Sequence, residues 1–218
     1  MTGRREVVVF DLDGTLVDSS ASMRAAFEAA FARVSAGPAP FDELEARQGR
    51  PFADICRELG WPAGLAEAFT AESRARAHQV RLFPGVEAVL RGLAAGGTRL
   101  ALLTGKDRLR TEELLDLLGL SQLFRWLVCG DDPLPGKPSP DGLAHLMAVG
   151  GSEPPRTLYV GDSPVDHLCA QAVEVDFLGV EWPGQPVQLS PAAGLDIVRE
   201  ASGLARALHL EAPCAPSC

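Results

Sequence analysis

The chain has 218 residues, of which 46% are hydrophobic, and it carries a formal net charge of −9. This length suffices for one good hydrophobic core, or for a core with a small inserted domain. The acidic balance argues against nucleic acid as a partner, since no broad basic surface offsets it. No stretch approaches the roughly 20 apolar residues of a membrane span, and the first apolar run is too short for a signal peptide. Together with an odd number of cysteines, five in all, these features predict a cytoplasmic protein with reduced thiols.

The first predicted element is a β-strand that ends at two aspartates. The apolar run 7–10 stops at Asp11 and Asp13, and side chains two residues apart on a strand point to the same side. Two carboxylates that close repel each other, so one must be protonated or both must share a cation. Gly14 then lets the backbone bend away. An Asp-Gly pair alone is typical of a surface turn, but the whole string after a strand favours a chemical site.

The next stretch predicts helices, and from residue 83 strands and helices alternate. Phe27, Phe31 and Val34 recur at helical spacing, which predicts a helix over about 19–34. Residues 41–81 are typical of short helices and loops, with no convincing strand. The later predicted helices are 86–95, 108–118, 140–149, 164–173 and about 200–209. The later predicted strands are 98–103, 125–129, 157–161 and 175–180, with a short edge strand at 196–198.

This alternation predicts an α/β fold, a Rossmann-like parallel sheet with helices on both faces. The all-helical stretch after the first strand is expected to form an inserted cap domain. We place the cap at 17–82 and the core at 1–16 and 83–218. Ligands of such sheets bind at the carboxyl ends of the strands, where Asp11, Thr104 and Asp162 are expected.

Four short motifs resemble those of the haloacid dehalogenase superfamily, and they occur in that family's order. Residues 11–15, Asp-Leu-Asp-Gly-Thr, resemble motif I of its phosphatases. Residues 102–106 are similar to motif II, 136–140 to motif III and 160–166 to motif IV. Four motifs, each after a strand or at the start of a helix, form a strong signal. The resemblance covers most of the chain and is weakest over 20–80 and after 185.

The resemblance implies a phosphatase that requires Mg²⁺ and forms a covalent intermediate. Asp11 would be the nucleophile that becomes an aspartyl-phosphate. Asp13 would protonate the leaving oxygen and later activate water. The implied metal ligands are Asp11, the backbone carbonyl of Asp13, Asp162, and Asp166 either directly or through water.

The same resemblance implies that Thr104, Gly105 and Lys137 bind the phosphate. Relatives commonly have Asn at the position of Gly105, so we expect a missing side chain and a wider site near the leaving group. Arg50 lies where relatives carry a specificity loop and is a candidate to reach a substrate hydroxyl or carboxylate. The alternative for Arg50 is an ordinary solvated arginine.

Two features narrow the expected activity. Thr15 resembles the phosphatases more than the phosphomutases of the β-phosphoglucomutase type, and Asp13 argues against a dehalogenase. The pair 18–19, Asp-Ser, is similar to phosphoglycolate-phosphatase-like enzymes, whereas the first string with 104–106 resembles phosphatases of antibiotic pathways that build amino sugars and aminohydroxybenzoate. We therefore expect hydrolysis of a small phosphorylated metabolite. A phosphomutase and a non-catalytic protein that binds a phosphorylated ligand remain the alternatives, and the sequence leaves the oligomeric state open.

Overall fold

The computed structural model describes residues 5–189 and 194–209, and this part of the chain contains eight strands and nine α-helices. The strands are β1 (Val7–Phe10), β2 (Val17–Asp18), β3 (Arg81–Leu82), β4 (Arg99–Leu103), β5 (Phe124–Val128), β6 (Thr157–Gly161), β7 (Asp176–Val180) and β8 (Ile197–Val198). The helices are α1 (Ser20–Val34), α2 (Phe41–Glu45), α3 (Phe52–Glu58), α4 (Leu65–Ala75), α5 (Val86–Ala95), α6 (Arg108–Leu117), α7 (Asp141–Gly150), α8 (Pro164–Ala172) and α9 (Ala201–Ala207).

Six of the strands form one parallel sheet in the order β5-β4-β1-β6-β7-β8. The central strand β1 is fully buried because helices cover both faces of the sheet. Val8 and Phe10 pack with α5, α6 and α9, whereas Val7 and Val9 pack with α7 and α8. This arrangement confirms the predicted fold class and explains why β1 is continuously apolar instead of alternating.

The sheet topology brings three predicted site residues together. β1 pairs with β4 on one side and with β6 on the other. The strands that follow β1 in the chain are therefore added first on one side of it and then on the other. Asp11, Thr104 and Asp162 follow these three neighbouring strands at the same edge. A crevice at the carboxyl ends of strands near such a reversal is the usual ligand site of open α/β sheets.

Helices α1 to α4 have an apolar cluster of their own. Phe27 lies at its centre, and its ring centroid is 5.1 Å from that of Trp61 and 6.3 Å from that of Phe69. The cluster is separate from the two that cover the sheet, and Trp61 packs against it. Within the described ranges, no helix combines the length and apolarity needed to cross a membrane.

A two-stranded antiparallel ribbon lies where this helical stretch begins and ends. In it, β2 pairs with β3, with Val17 opposite Leu82 and Asp18 opposite Arg81. The sequence predicts no strand over 41–81, and β3 differs from that prediction at Arg81. Two residues are too few for an alternating pattern to register in the sequence, so only the fold reveals this pairing.

Candidate active site

The two aspartates after β1 share one side of the strand but have different partners. Oδ1 of buried Asp11 accepts a hydrogen bond from Lys137 Nζ at 2.7 Å. Asp13 accepts one from Ser19 Oγ at 2.6 Å, and its Oδ2 lies 3.0 Å from Lys106 Nζ. Burial alone would raise the pKa of Asp13, but Lys106 and Ser19 outweigh it and lower that pKa below its usual value.

The turn after these aspartates requires glycine. Gly14 has φ of +84°, and a Cβ at this position would lie 2.2 Å from Oδ2 of Asp162. The acidic end of β6 therefore packs directly against the turn. Thr15, the next residue, fixes Asp162 by donating its hydroxyl to Oδ1 at 2.6 Å.

Lys137 is the buried cation of the site. Its ammonium donates to Asp11 Oδ1 and to Asp166 Oδ1, each at 2.7 Å, and to the carbonyl oxygen of Leu103 at 3.3 Å. All three of its donors are used. Burial opposes the charged form, but the two carboxylates outweigh it and raise the pKa of Lys137.

Asp166 is held entirely by protein donors. Its Oδ1 accepts from Lys137 and from the Tyr159 hydroxyl at 2.7 Å, and its Oδ2 accepts from the backbone N–H and the hydroxyl of Ser163. Ser163 is also the N-cap of α8, where the two residues form a capping box. The predicted role of Asp166 as a metal ligand stays a prediction. Its saturated oxygens are more compatible with contact through water than with direct coordination.

Three carboxylates meet closely enough to hold a cation. One oxygen each from Asp11, Asp162 and Asp166 lie within 4.8 Å of one another. Burial raises the pKa of Asp11 to about 7, against the attraction of Lys137, and it raises that of Asp162 well above its usual value. Among residues 5–189 and 194–209, no side chain or backbone N–H donates to Oδ2 of Asp11 or to Oδ2 of Asp162. These free oxygens, in a set made only of oxygen ligands, fit a hard divalent cation such as Mg²⁺.

The predicted phosphate-binding residues of motif II follow β4. Thr104 is buried, and its hydroxyl oxygen accepts from the backbone N–H of Lys106 at 3.2 Å. A Cβ on Gly105 would lie 2.6 Å from the backbone carbonyl of Arg50. The expectation of a wider site at Gly105 is therefore wrong. The backbone at Gly49 and Arg50 fills the space that a side chain would occupy.

A cavity of about 80 Å³ lies between the sheet edge and helices α1, α3 and α4. The predicted site residues that line it are Asp11, Asp13, Arg50, Thr104, Gly105 and Asp162. Lys137 and Asp166 lie behind Asp11. Arg50 reaches the cavity, but its Nη1 also pairs with Glu58 at 2.7 Å, and its side chain is 27% exposed. The small volume suits a ligand well below the roughly 300 Å³ of a pocket for a drug-sized molecule.

Comparison with known proteins gives the family. The model of the haloacid dehalogenase-like hydrolases matches residues 8–180. The chain belongs to this family. A phosphoglycolate phosphatase of Pseudomonas putida is 31% identical over 88% of this chain and 77% of its own length. A plasmid-encoded phosphoglycolate phosphatase of Cupriavidus necator is 34% identical over 87% of this chain and 88% of its own length.

Solved structures support the same fold. A hydrolase from Pseudomonas syringae has a TM-score of 0.80 and 22% identity, covering 94% of this chain and 98% of that one. A haloacid dehalogenase-like hydrolase from Streptococcus pneumoniae has a TM-score of 0.75 and 21% identity, covering 95% and 99%. The match to the family model and the curated relatives confirm the superfamily predicted from the four motifs. The names of the curated relatives agree with the predicted class of phosphoric monoester hydrolases.

Two cations of this haloacid dehalogenase-like site were not assigned a role from the sequence. Lys106 contacts Asp13, and Arg110 of α6 lines the cavity beside it. One signal for Lys106 is present in the composition. The chain has 20 basic residues, of which 18 are arginine, and its only two lysines are Lys106 and Lys137. In a chain that uses arginine so predominantly, the two lysines stand out, and both contact aspartates of this site.

Proposed function

We propose that this protein is a Mg²⁺-dependent phosphatase of a small phosphate monoester of the phosphoglycolate type. The observation that carries the proposal is the state of Asp11. One of its oxygens is anchored 2.7 Å from Lys137, while the other has no donor among the described residues, and Asp11 lines the cavity. A carboxylate fixed in this way is positioned for nucleophilic attack. The substrate class comes from the names of the curated relatives and agrees with the small cavity.

In the first step, Asp11 attacks phosphorus and the bond from phosphorus to the ester oxygen breaks. Asp13 gives a proton to the leaving oxygen. Asp13 must therefore be protonated when the ester is bound, and the dianionic phosphate favours that form, against the effect of Lys106 and Ser19 in the free protein.

In the second step, Asp13 takes a proton from water, which attacks phosphorus and breaks the bond to Asp11. Phosphate leaves, and both aspartates return to their starting state. Lys137 would offset the charge of Asp11, and Thr104 would donate its hydroxyl to a phosphate oxygen.

The residues present also fit the metal that this chemistry needs. Asp11, Asp162 and the backbone carbonyl of Asp13 would hold Mg²⁺, with Asp166 contributing through water. Bound there, Mg²⁺ would supply positive charge to the phosphate oxygens. A small diffusible substrate also agrees with the predicted cytoplasmic location and with the expectation that neither nucleic acid nor a membrane is a partner.

We further assign residues 17–82 to a cap and residues 1–16 and 83–218 to the catalytic core. The separate apolar cluster of α1 to α4 supports this division. So does the β2–β3 ribbon, which joins the chain at both crossings between the two parts. The cavity lies between them, so the cap would select the substrate while the core performs the reaction.

The test is phosphate release with Mg²⁺ from 2-phosphoglycolate, glucose phosphates and amino-sugar phosphates, with Asp11→Asn as the control. Release from one or a few compounds, lost in the variant, supports the proposal. Conversion of β-glucose 1-phosphate to glucose 6-phosphate without release would replace it with a phosphomutase. Binding of these compounds with neither release nor isomerisation would indicate a non-catalytic relative.

A further inference from the structure

The two lysines of the chain differ in how many of their donors the protein uses. Nζ of Lys137 donates three hydrogen bonds, to Asp11, to Asp166 and to the carbonyl oxygen of Leu103. Nζ of Lys106 has one partner in the described part of the chain, Asp13, at 3.0 Å. An ammonium group has three donors. Two donors of Lys106 are therefore left for a ligand, and its side chain, 11% exposed, lines the cavity.

Arg110 adds a second cation from the same segment. It is 8% exposed, its Nη1 donates to Ser73 Oγ of α4 at 3.1 Å, and its Nε donates to Asp107, the N-cap of α6. The guanidinium carbon lies 4.9 Å from the ring centroid of Phe69. None of the residues in the described ranges accepts from its Nη2. The side chain is thus held rigidly on three sides and still has a donor group to offer.

We propose that Lys106, backed by Arg110, binds a second negatively charged group of the substrate, a carboxylate close to the ester oxygen. This inference rests on the proposed phosphatase and deepens it, because it states what distinguishes the substrate from other phosphate esters. Asp13 is assigned to the leaving oxygen, and Lys106 contacts Asp13. With one further hydrogen bond of about 2.8 Å, a group bound to Lys106 lies within roughly 6 Å of the Asp13 carboxylate.

That reach fits a compact substrate. It accommodates an ester oxygen and a carboxylate joined by one carbon, as in 2-phosphoglycolate. The same geometry disfavours an ammonium group next to the ester, because Lys106 would repel it.

The test compares three substrates of nearly equal size: 2-phosphoglycolate, 2-hydroxyethyl phosphate and 2-aminoethyl phosphate. In the native protein with Mg²⁺, kcat/KM should fall in that order. Lys106→Gln should lose roughly 10- to 100-fold on 2-phosphoglycolate beyond its loss on the hydroxyl compound, the range of one charged hydrogen bond. In this variant, kcat/KM on 2-aminoethyl phosphate should no longer be lower than kcat/KM on 2-hydroxyethyl phosphate. Lys106→Arg keeps the charge and should retain the order.

A role of Lys106 through Asp13 alone predicts a different result. Lys106→Gln would then lower kcat/KM by the same factor on all three substrates, which would overturn the inference and leave the phosphatase intact. Thermal unfolding of both variants checks that each is folded.

A binding measurement separates the inference from the activity. With only two lysines in the chain, an Asp11→Asn protein labelled with ¹³C and ¹⁵N lysine should give two side-chain ammonium signals, assigned by adding Lys106→Arg. With Mg²⁺, 2-phosphoglycolate should shift the Lys106 signal more than 2-hydroxyethyl phosphate does. Equal shifts would overturn the inference. If the native protein releases phosphate from none of the three, the proposed function fails, and this NMR comparison still decides the subsite.

Discussion

The two sides of the cavity hold their charges in different ways: the floor, formed by the sheet edge of the core, and the roof, formed by the cap. On the floor, at the sheet edge, Lys137 is buried between Asp11 and Asp166 with every donor used. On the roof, Arg50 pairs with Glu58, whose side chain is 42% exposed. Such half-exposed pairs contribute at most about 1 kcal/mol and exchange partners easily, whereas breaking a buried pair is costly. The floor can thus fix the reaction while the roof adapts to the substrate.

The largest effect should follow from changing the two aspartates of the floor. Asp11→Asn should lower kcat by roughly 10⁴-fold or more, since removing a nucleophile has effects of that size. Asp13→Asn should still transfer phosphate from 4-nitrophenyl phosphate, because nitrophenolate needs no proton to leave. Stopped-flow absorbance should then show a burst of about one nitrophenolate per enzyme, followed by slow turnover. A burst from Asp11→Asn, or none from Asp13→Asn, would reverse or refute these roles.

The next largest effect concerns stability. Lys137→Met leaves Asp11 and Asp166 buried without their cation, which should lower the free energy of unfolding by about 3–5 kcal/mol. Lys106→Met is the matched control from the cavity wall. It should cost less, because Asp13 keeps Ser19 as a donor and is reached by water. Urea unfolding at pH 7.5 measures both free energies of unfolding. Equal losses in the two variants would contradict the expected difference between the buried Lys137 and the cavity-lining Lys106.

A smaller effect links pH to the metal. Asp11 has an ordinary pKa of 3.8 that is raised to about 7 in the folded protein without metal. Between these values the folded state binds more protons than the unfolded state, so this contribution to stability is present at low pH and is lost as pH rises through about 7. Mg²⁺ requires the ionised carboxylate. At pH 6 it must displace a proton, which should weaken its apparent affinity about tenfold, or about 1.4 kcal/mol, relative to pH 8.

Thermal unfolding with and without Mg²⁺ at pH 6 and pH 8 tests this coupling. The rise in Tm caused by Mg²⁺ should be larger at pH 8. Asp162→Asn, which removes a proposed ligand, should reduce the rise at both values. An equal rise in the native protein at pH 6 and pH 8 would mean that Asp11 does not change protonation when the metal binds.

Much of the floor could be predicted from the sequence because its signals are local. An apolar strand that stops at Asp11, and another that stops before Asp162, need no knowledge of distant contacts. A parallel sheet then places both at one edge. The boundaries of most later elements follow from the same alternation.

The parts that sequence reasoning did not predict depend on approaches between distant segments. The space beside Gly105 is closed by the backbone of Arg50, which lies more than 50 residues earlier in the chain. Arg110 enters the cavity because Ser73 and Phe69 of α4 hold it there. No period or spacing in the sequence encodes such contacts. The rarity of lysine is the one feature of the composition that singles out Lys106, and no prediction from the sequence rests on it.

The smallest expected effect tests whether the roof selects the substrate. Arg50 and Arg47 pair with the same carboxylate, that of Glu58, at 2.7 and 3.0 Å, but only Arg50 lines the cavity. Arg50→Ala should therefore lower kcat/KM by a few-fold more on the true substrate than on 4-nitrophenyl phosphate, in keeping with the modest energies of exposed ion pairs. Arg47→Ala disturbs the same partner and should change both substrates equally. If the two variants behave alike, the effect of Arg50 passes through Glu58 and the packing of the cap. Selection of the substrate must then rest on Lys106 and Arg110, which belong to the core.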